Sequence, residues 1–486
     1  MRPILTLLET PLIERILAEA CDLLATLGVE IHNPPLLDLL HQHGARIDSE
    51  SSRAFLDATM IDAAVESAPS GFQLFDVHGQ ETHDFDGRNV HFTPGSAAIN
   101  ILDGRTGAIR PPTTGDYVNY VKVVSGLPNI ASQSTAFIPA DVPSRISDSY
   151  RLYLSLLYGE KPVVTGAFTT GAFEIMKNLL VAVRGSEEGL RDQPLAIFSC
   201  CPTAPIKWSD VTSQNLVDCA RHGIPVEFVS MPLAGFMSPV TLVGSLVKHA
   251  AETLSGVVIS QAAAPGSPIL WGGSPAIFDL RYETTPMGAI ETMMIDCAFS
   301  EIGHFLGLPT QAYISLSDAK QLDAQAGLET GMGATLAALS GINSISGPGM
   351  LDFESCQSLE KLVLDNEICG MTARLLRGIE PKDDFPARPI FEELLRDKHL
   401  LISKHTRRHL RSEISFPGPV IDRANHSRWL EEGALTLGER AHHEVERLVE
   451  AYEPSRVPEV VKHELRRLMQ GEAGRCGMHR LPETVA

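Results

Sequence analysis

Eight short apolar segments recur between residues 90 and 349, each followed by a stretch of helical periodicity, and this beat restricts the fold more than any other feature of the chain. The segments fall at 90–102, 129–138, 161–168, 195–201, 224–231, 267–273, 310–316 and 342–349. Helical patterns follow them at 114–125, 147–158, 172–184, 209–222, 239–262, 286–307, 323–339 and 358–377. Short strands that are apolar on both faces need cover on both faces, which crossover helices supply only to a parallel sheet. Eight strand–helix units are the arithmetic of a closed barrel; an open doubly wound sheet is the competing arrangement, and the count favours closure. Gly and Pro before several strands (GLPNI, GEKPVV, HGIPVEF, PGSPIL, GLPTQA) stop each helix where the beat requires it.

The expected fold class is therefore α/β, a (β/α)8 barrel over residues 89–378, with an N-terminal helical cap over 1–88 and a C-terminal helical extension over 379–486. The cap shows apolar residues at helical spacing (Leu12, Ile13, Ile16, Leu17, Leu23, Leu24) and a second helix after the HNPP break. The extension carries charged helical stretches, with a tail expected to be loose after Met469.

The chain has 486 residues and a formal charge of -20, which argues against phosphate backbones and anionic lipid as partners, because both need clustered Lys and Arg. Eight scattered cysteines with no CxxC pair fit reduced thiols and a cytoplasmic setting, and the N-terminal apolar stretch is too short for a membrane helix. Adjacent Cys200 and Cys201, and Cys219 with His222, match no standard zinc spacing. His405 with His409, and His442 with Glu446, read as surface pairs one helical turn apart, so no metal is expected.

Barrel chemistry sits at the C-terminal ends of the strands. These segments carry no HExxH and no Gly-rich phosphate signature, and no strand ends in Lys. They hold many of the chain's few large apolar residues: Phe168, Phe198, Trp208, Phe236, Met237, Trp271, Phe278, Tyr282, Tyr313 and Phe353. Core packing accounts for any one of them; as a set at a barrel mouth they suit an onium ion, which offers no proton to hydrogen-bond and is held by ring faces. Trp271 and Tyr313, near strand ends, are the foremost cage candidates. The densest polar segment, SLSDAKQLDAQAGLETGMGA, offers Asp318, Lys320, Asp323, Gln325 and Glu329, with capping by Asp323 as the plainer reading. Gly327, Gly331 and Gly333 predict that the helix there packs very closely.

The runs LVGSLVKHAAETLSGVVISQAAAPGSPILWGGSPAIFDLRYETTPMGAIE, GLPTQAYISLSDAKQLDAQAGLE and ALSGINSISGPGMLDFESCQSLEKLVLDNEI resemble the trimethylamine methyltransferase family, in particular its members without pyrrolysine. Weaker resemblance in ILDGRTGAIRPPTTGDYVNYVKVVSGLPNI, SKHTRRHLRSEI and RWLEEGALTLGERA extends it over nearly the whole chain. The resemblance implies a TIM-barrel subunit that binds a methylated amine and passes a methyl group to Co(I) of a corrinoid, carried by a cognate protein or free in solution, and it implies a homo-oligomer. Trimethylamine-specific members insert pyrrolysine; this sequence has ordinary residues throughout, which favours a quaternary amine such as glycine betaine or a related betaine. A quaternary ammonium leaves as a neutral amine, so transfer needs orientation and an in-line nucleophile but no general acid. No catalytic residue is assigned; Trp271, Tyr313, Phe168, Phe198, Tyr282, Gln325 and Arg281 are the substrate-binding candidates, and Asp318, Lys320, Asp323 and Glu329 form a polar loop near substrate or corrinoid. A lyase or aldolase working through Lys320, and a non-catalytic betaine-binding barrel, are the competing readings.

Overall fold

Each of the eight apolar segments forms a strand in the computed structural model, which describes residues 2–169 and 171–482. The strands are β1 (His91–Thr93), β2 (Gln133–Ser134), β3 (Val163–Thr165), β4 (Ala196–Cys200), β5 (Val226–Phe228), β6 (Ile269–Gly273), β7 (Thr310–Tyr313) and β8 (Ser344–Ser346). They pair in parallel in the order β2-β3-β4-β5-β6-β7-β8-β1. The ring closes where the Ala131 amide donates to the Phe92 carbonyl at 2.8 Å and Ala98 bridges Phe137. Helices α1 (Thr114–Ser125), α2 (Ser147–Tyr158), α3 (Ala172–Arg184), α4 (Asp210–His222), α5 (Leu242–Ala263), α6 (Ile290–Phe305), α7 (Ala324–Ser340) and α8 (Leu359–Leu376) cover it, so the chain is a (β/α)8 barrel. Helix α5 is long and apolar enough to cross a membrane, yet it is packed against the N-terminal helix Thr10–Thr26, the helix Ala58–Ser67 and α4.

Strand parity decides what each side chain meets. Ile197, Leu270 and Val164 point inward and cluster with Leu74 and Phe85. Phe198, Phe228 and Trp271 point outward into the helix layer. Trp208 donates from Nε1 to Ser255 Oγ at 2.9 Å on α5, and Trp271 donates to the Phe299 carbonyl at 2.9 Å on α6. Glycines let these helices come close: a Cβ at Gly303 would lie 2.7 Å from the Trp271 ring, and one at Gly256 would lie 2.6 Å from Phe228.

The floor is closed by the hairpin Gln73–Phe75 with Glu81–Asp84, whose flanking Phe72 and Phe85 meet beneath the lumen with ring centroids 4.9 Å apart and planes tilted by 45°. The cap thus holds β structure as well as helices: Val29–Ile31, Arg46–Asp48 and Arg53–Phe55 form a small sheet joined by Lys207–Trp208 from the barrel. Three-residue strands are too short to carry a readable alternation. At the other end, helix Leu437–Glu450 packs on α8 and α1, and Glu459–Arg475 packs on α3 and α2. The chain after Met469 is not loose at once, because Met469 and Ala473 are both fully buried.

Candidate functional site

Above the apolar floor the lumen turns acidic. Glu227, in the middle of β5, faces inward, where its Oε1 accepts from Ser199 Oγ at 2.7 Å and from Tyr313 OH at 3.4 Å. Its second oxygen, Oε2, is buried with no protein partner. The Tyr313 hydroxyl also meets Ser96 Oγ at 3.2 Å. The Ser96 amide in turn donates to Glu354 Oε1 at 3.3 Å, so one hydrogen-bonded chain links β4, β5, β7 and the loops after β1 and β8. Gln311, one turn of the pleat below Tyr313, lies against Gly272, where a Cβ would come within 2.2 Å of Oε1; neither of its amide atoms has a protein partner.

Glu354 reaches this position through an unusual backbone. Asp352, Phe353 and Glu354 all adopt left-handed conformations, with φ of 50°, 56° and 66°. Runs of that kind cost of order 1–3 kcal/mol per residue and persist where the surroundings over-determine them, commonly at functional sites. Gly95 supplies the room, since a Cβ there would lie 2.9 Å from Glu354 Oε1 and 2.4 Å from Met350 Cγ.

Neither carboxyl has a Lys, Arg or His partner among the described residues. Burial therefore raises the Glu227 carboxyl to about 7, with Ser199 and Tyr313 pulling back only partly. Burial and the charge of Glu227 raise Glu354 well above the ordinary carboxylate range. The Tyr313 phenol and the Cys201 thiol are also pushed up, chiefly by burial, so Cys201 is no thiolate nucleophile. A fully buried Glu227 and a partly buried Glu354 with no basic partner can hold a cation that brings its own positive charge. Phe168, Met231, Phe236, Met237 and Tyr282 are exposed on the loops of the mouth, with Phe236 stacked on Phe278 at 5.2 Å. These side chains leave an apolar rim around the mouth.

Among the cage candidates named from sequence, only Tyr313 lies in the lumen; Phe168 stands at its edge, its ring 2.6 Å from a Cβ built at Gly166. Trp271 is turned to α6, and Phe198 packs edge-on against Phe173 on α3 at 6.0 Å; both belong to the outer core because their strand parity is outward. Tyr282 and Arg281 sit on an exposed loop, with the Arg281 guanidinium held by Asp279 at 2.6 Å.

The polar loop braces the mouth without entering the lumen. Asp318 accepts from the Met287 and Gly288 amides at 3.0 and 2.9 Å, and burial with the charge of Glu329 raises its carboxyl to about 6. Glu329 accepts from Ser317 Oγ at 2.6 Å and from Gln325 Nε2 at 2.9 Å, and Asp323 caps α7 through the Gln325 and Ala326 amides. Lys320 donates to the Asp318 carbonyl at 2.7 Å, lies 4.0 Å over the Phe353 ring and is half-exposed. Of the three α7 glycines, Gly333 is the close approach, a Cβ there falling 2.9 Å from the Ser315 amide; Gly327 and Gly331 face open space.

Glu227 and Glu354 escaped the sequence reading. A lone carboxylate inside the apolar strand PVEFVS was the available signal, because parallel strands seldom bury an unpaired acid. His405 and His409 gain a third neighbour, Asp383, the one trio among the described residues spaced to hold a metal ion; it lies in the C-terminal extension. Two surface cavities of about 610 and 630 Å³ lie on the outside of the barrel and contain neither lumen acid.

The chain is 28% identical over 453 residues to the trimethylamine methyltransferase MttB of Desulfitobacterium hafniense, covering 93% of this chain and 91% of that protein. It is 27% identical over 444 residues to a glycine betaine methyltransferase of the same species, covering 91% and 92%. The monomethylamine methyltransferase (MtmB) of Methanosarcina barkeri shares the fold, with a TM-score of 0.52 at 13% identity over 97% of this chain and 88% of that one. A profile of the trimethylamine methyltransferase (MTTB) family matches residues 1–473, and the chain belongs to that family.

Proposed function

We propose that this methyltransferase takes a methyl group from a quaternary amine, glycine betaine or a relative, and delivers it to Co(I) of a corrinoid presented at the mouth by a partner protein. The observation that carries the reading is the uncompensated acid pair Glu227 and Glu354 beneath an apolar rim. The ammonium sits against these carboxylates and the Tyr313 ring, whose face attracts a cation. One methyl then points up the lumen axis. The Co(I) electron pair forms the C–Co bond as the C–N pair returns to nitrogen, which leaves as a neutral tertiary amine. No proton moves, in keeping with a lumen whose acids are held by Ser96, Ser199 and Tyr313. A betaine's own carboxylate is repelled by the acid pair and faces the mouth.

Glycine betaine, proline betaine, carnitine and γ-butyrobetaine, with choline as a carboxylate-free comparator, are to be supplied with Co(I) cobalamin and the demethylated amine sought by NMR. Transfer from none of them refutes the reading.

Binding should follow the ionisation of Glu227. Its carboxyl is neutral below about 7, so affinity for the cation is lost by up to tenfold per pH unit as pH falls below that value and is level above it. Calorimetric titration between pH 5.5 and 8.5 measures this; affinity independent of pH contradicts it.

The lyase reading through Lys320 lacks support, because its ammonium is spent outside the lumen on Asp318 and Phe353. Lys320→Ala is expected to keep methyl transfer within about threefold, in line with a half-exposed contact. A loss greater than about a hundredfold, together with trapping of wild type by borohydride, favours the lyase.

A further inference from the structure

Between α8 and the helix Leu437–Glu450 the chain leaves the barrel as an arm, residues 379–416, built on the helices Arg388–Asp397 and Lys404–Glu413. Neither helix contains a buried residue, so packing of an apolar face does little to hold them and polar contacts must do it. One of those contacts assembles the donor set of a metal site. His405 and His409 stand one helical turn apart on one face of Lys404–Glu413, with ring centroids 4.9 Å apart. Asp383, in the stretch that leaves α8, turns Oδ1 to both: it accepts from His409 Nε2 at 2.5 Å and lies 3.3 Å from His405 Nδ1. The three donor atoms all fall within 4.8 Å of one another, and no other trio of His, Cys, Asp or Glu among the described residues is so spaced.

We propose that Asp383, His405 and His409 bind a divalent transition-metal ion of the zinc class, which clips the second helix of the arm to the segment leaving α8. Two imidazoles and a carboxylate suit zinc or a neighbouring first-row ion, whereas magnesium and calcium take oxygen ligands. Zinc bonds of about 2.0–2.2 Å set tetrahedral ligand atoms roughly 3.3 Å apart. The His405 contact already has that span. The His409 contact opens by roughly 0.8 Å as the ion takes the place of the shared proton, and the Asp383 side chain, 42% exposed, has room to turn. Partial exposure of all three side chains leaves the fourth position to water. Arg408 limits the affinity, because its guanidinium donates to Asp383 Oδ2 at 2.8 Å and repels a cation on the same carboxylate. What the ion contributes is closure of the loop from 383 to 405, on a helix whose other end is already tied to α8 by Arg374 donating to the Glu413 carbonyl at 3.1 Å.

Calorimetric titration of the full, untagged, chelator-treated chain with zinc chloride tests this. Wild type is expected to bind one zinc at this site with a dissociation constant on the order of micromolar. His405→Ala and His409→Ala are each expected to weaken it by at least about tenfold, the loss that even an outer-shell partner brings. Thermal unfolding of both variants should be unchanged, since neither ring is in the core. Arg408→Ala should tighten binding by roughly two- to fivefold, the worth of an exposed charge pair. Hydrogen exchange read by mass spectrometry should slow across residues 404–413 when zinc is added to wild type, and stay as it was in the histidine variants. No binding at about 100 μM zinc overturns the proposal. So does equal binding by wild type and both histidine variants, or exchange in 404–413 that ignores zinc. None of these readings depends on methyl transfer.

Discussion

Glu227→Gln is expected to lower kcat/KM for a quaternary amine by roughly a hundredfold, nearly all of it through KM, since truncating one partner of a buried charge contact costs about 2–5 kcal/mol. The split follows from where the charge goes. The positive charge on nitrogen is fullest in the bound amine and disperses as the C–N bond breaks, so a carboxylate at this position strengthens binding more than it lowers the barrier. Gln preserves shape and both hydrogen-bonding neighbours, Ser199 and Tyr313. The same variant should gain stability at alkaline pH. The wild-type carboxyl is raised from 4.5 to about 7 by burial, so it contributes stability below 4.5 that is lost as pH rises through 7; this amounts to roughly 3 kcal/mol at pH 8. A variant that loses activity and stability together at pH 8 marks Glu227 as a structural residue.

Trp271→Ala is expected to destabilise the barrel by about 3–5 kcal/mol, because it empties a fully buried volume between β6 and α6 that Gly303 and Phe299 are shaped around. KM of the protein that remains folded should stay within about threefold of wild type, since the ring lies on the far side of the strand from the lumen. Thermal unfolding and steady-state kinetics on the same preparation separate the two effects. Trp271→Phe, which keeps most of the apolar volume and loses the Nε1 donor, serves if the alanine variant does not fold. A large rise in KM with stability intact contradicts the outward placement and restores Trp271 to the cage.

The same residue shows where sequence stops being informative. Eight strands, their helices and the cap of α7 at Asp323 were legible because periodicity and capping are local properties of the chain. Strand parity is not. In Ile269–Gly273 every residue is buried, so nothing in the pattern says that Leu270 and Gly272 face the lumen while Trp271 faces a helix. Tyr313 was chosen by the same rule and faces inward, four residues into a strand that reads no differently. Glu354 was beyond reach for another reason. It depends on three consecutive left-handed residues, none of them glycine, a conformation no residue preference anticipates. Asp383 joins His405 and His409 from 22 residues away, a contact set by the path of the arm.

The proposed function makes one direct demand of the acid pair and the apolar mouth: a methyl group held above Glu227 is handed to a nucleophile outside the barrel. Anaerobic absorbance spectroscopy of Co(I) cobalamin mixed with enzyme and quaternary amine follows that transfer directly. Decay of the Co(I) spectrum into that of methylcobalamin, fast with wild type and roughly a hundredfold slower with Glu227→Gln at subsaturating amine, is the expected result. A Co(I) spectrum that persists with every quaternary amine, while the same amines bind, contradicts the account.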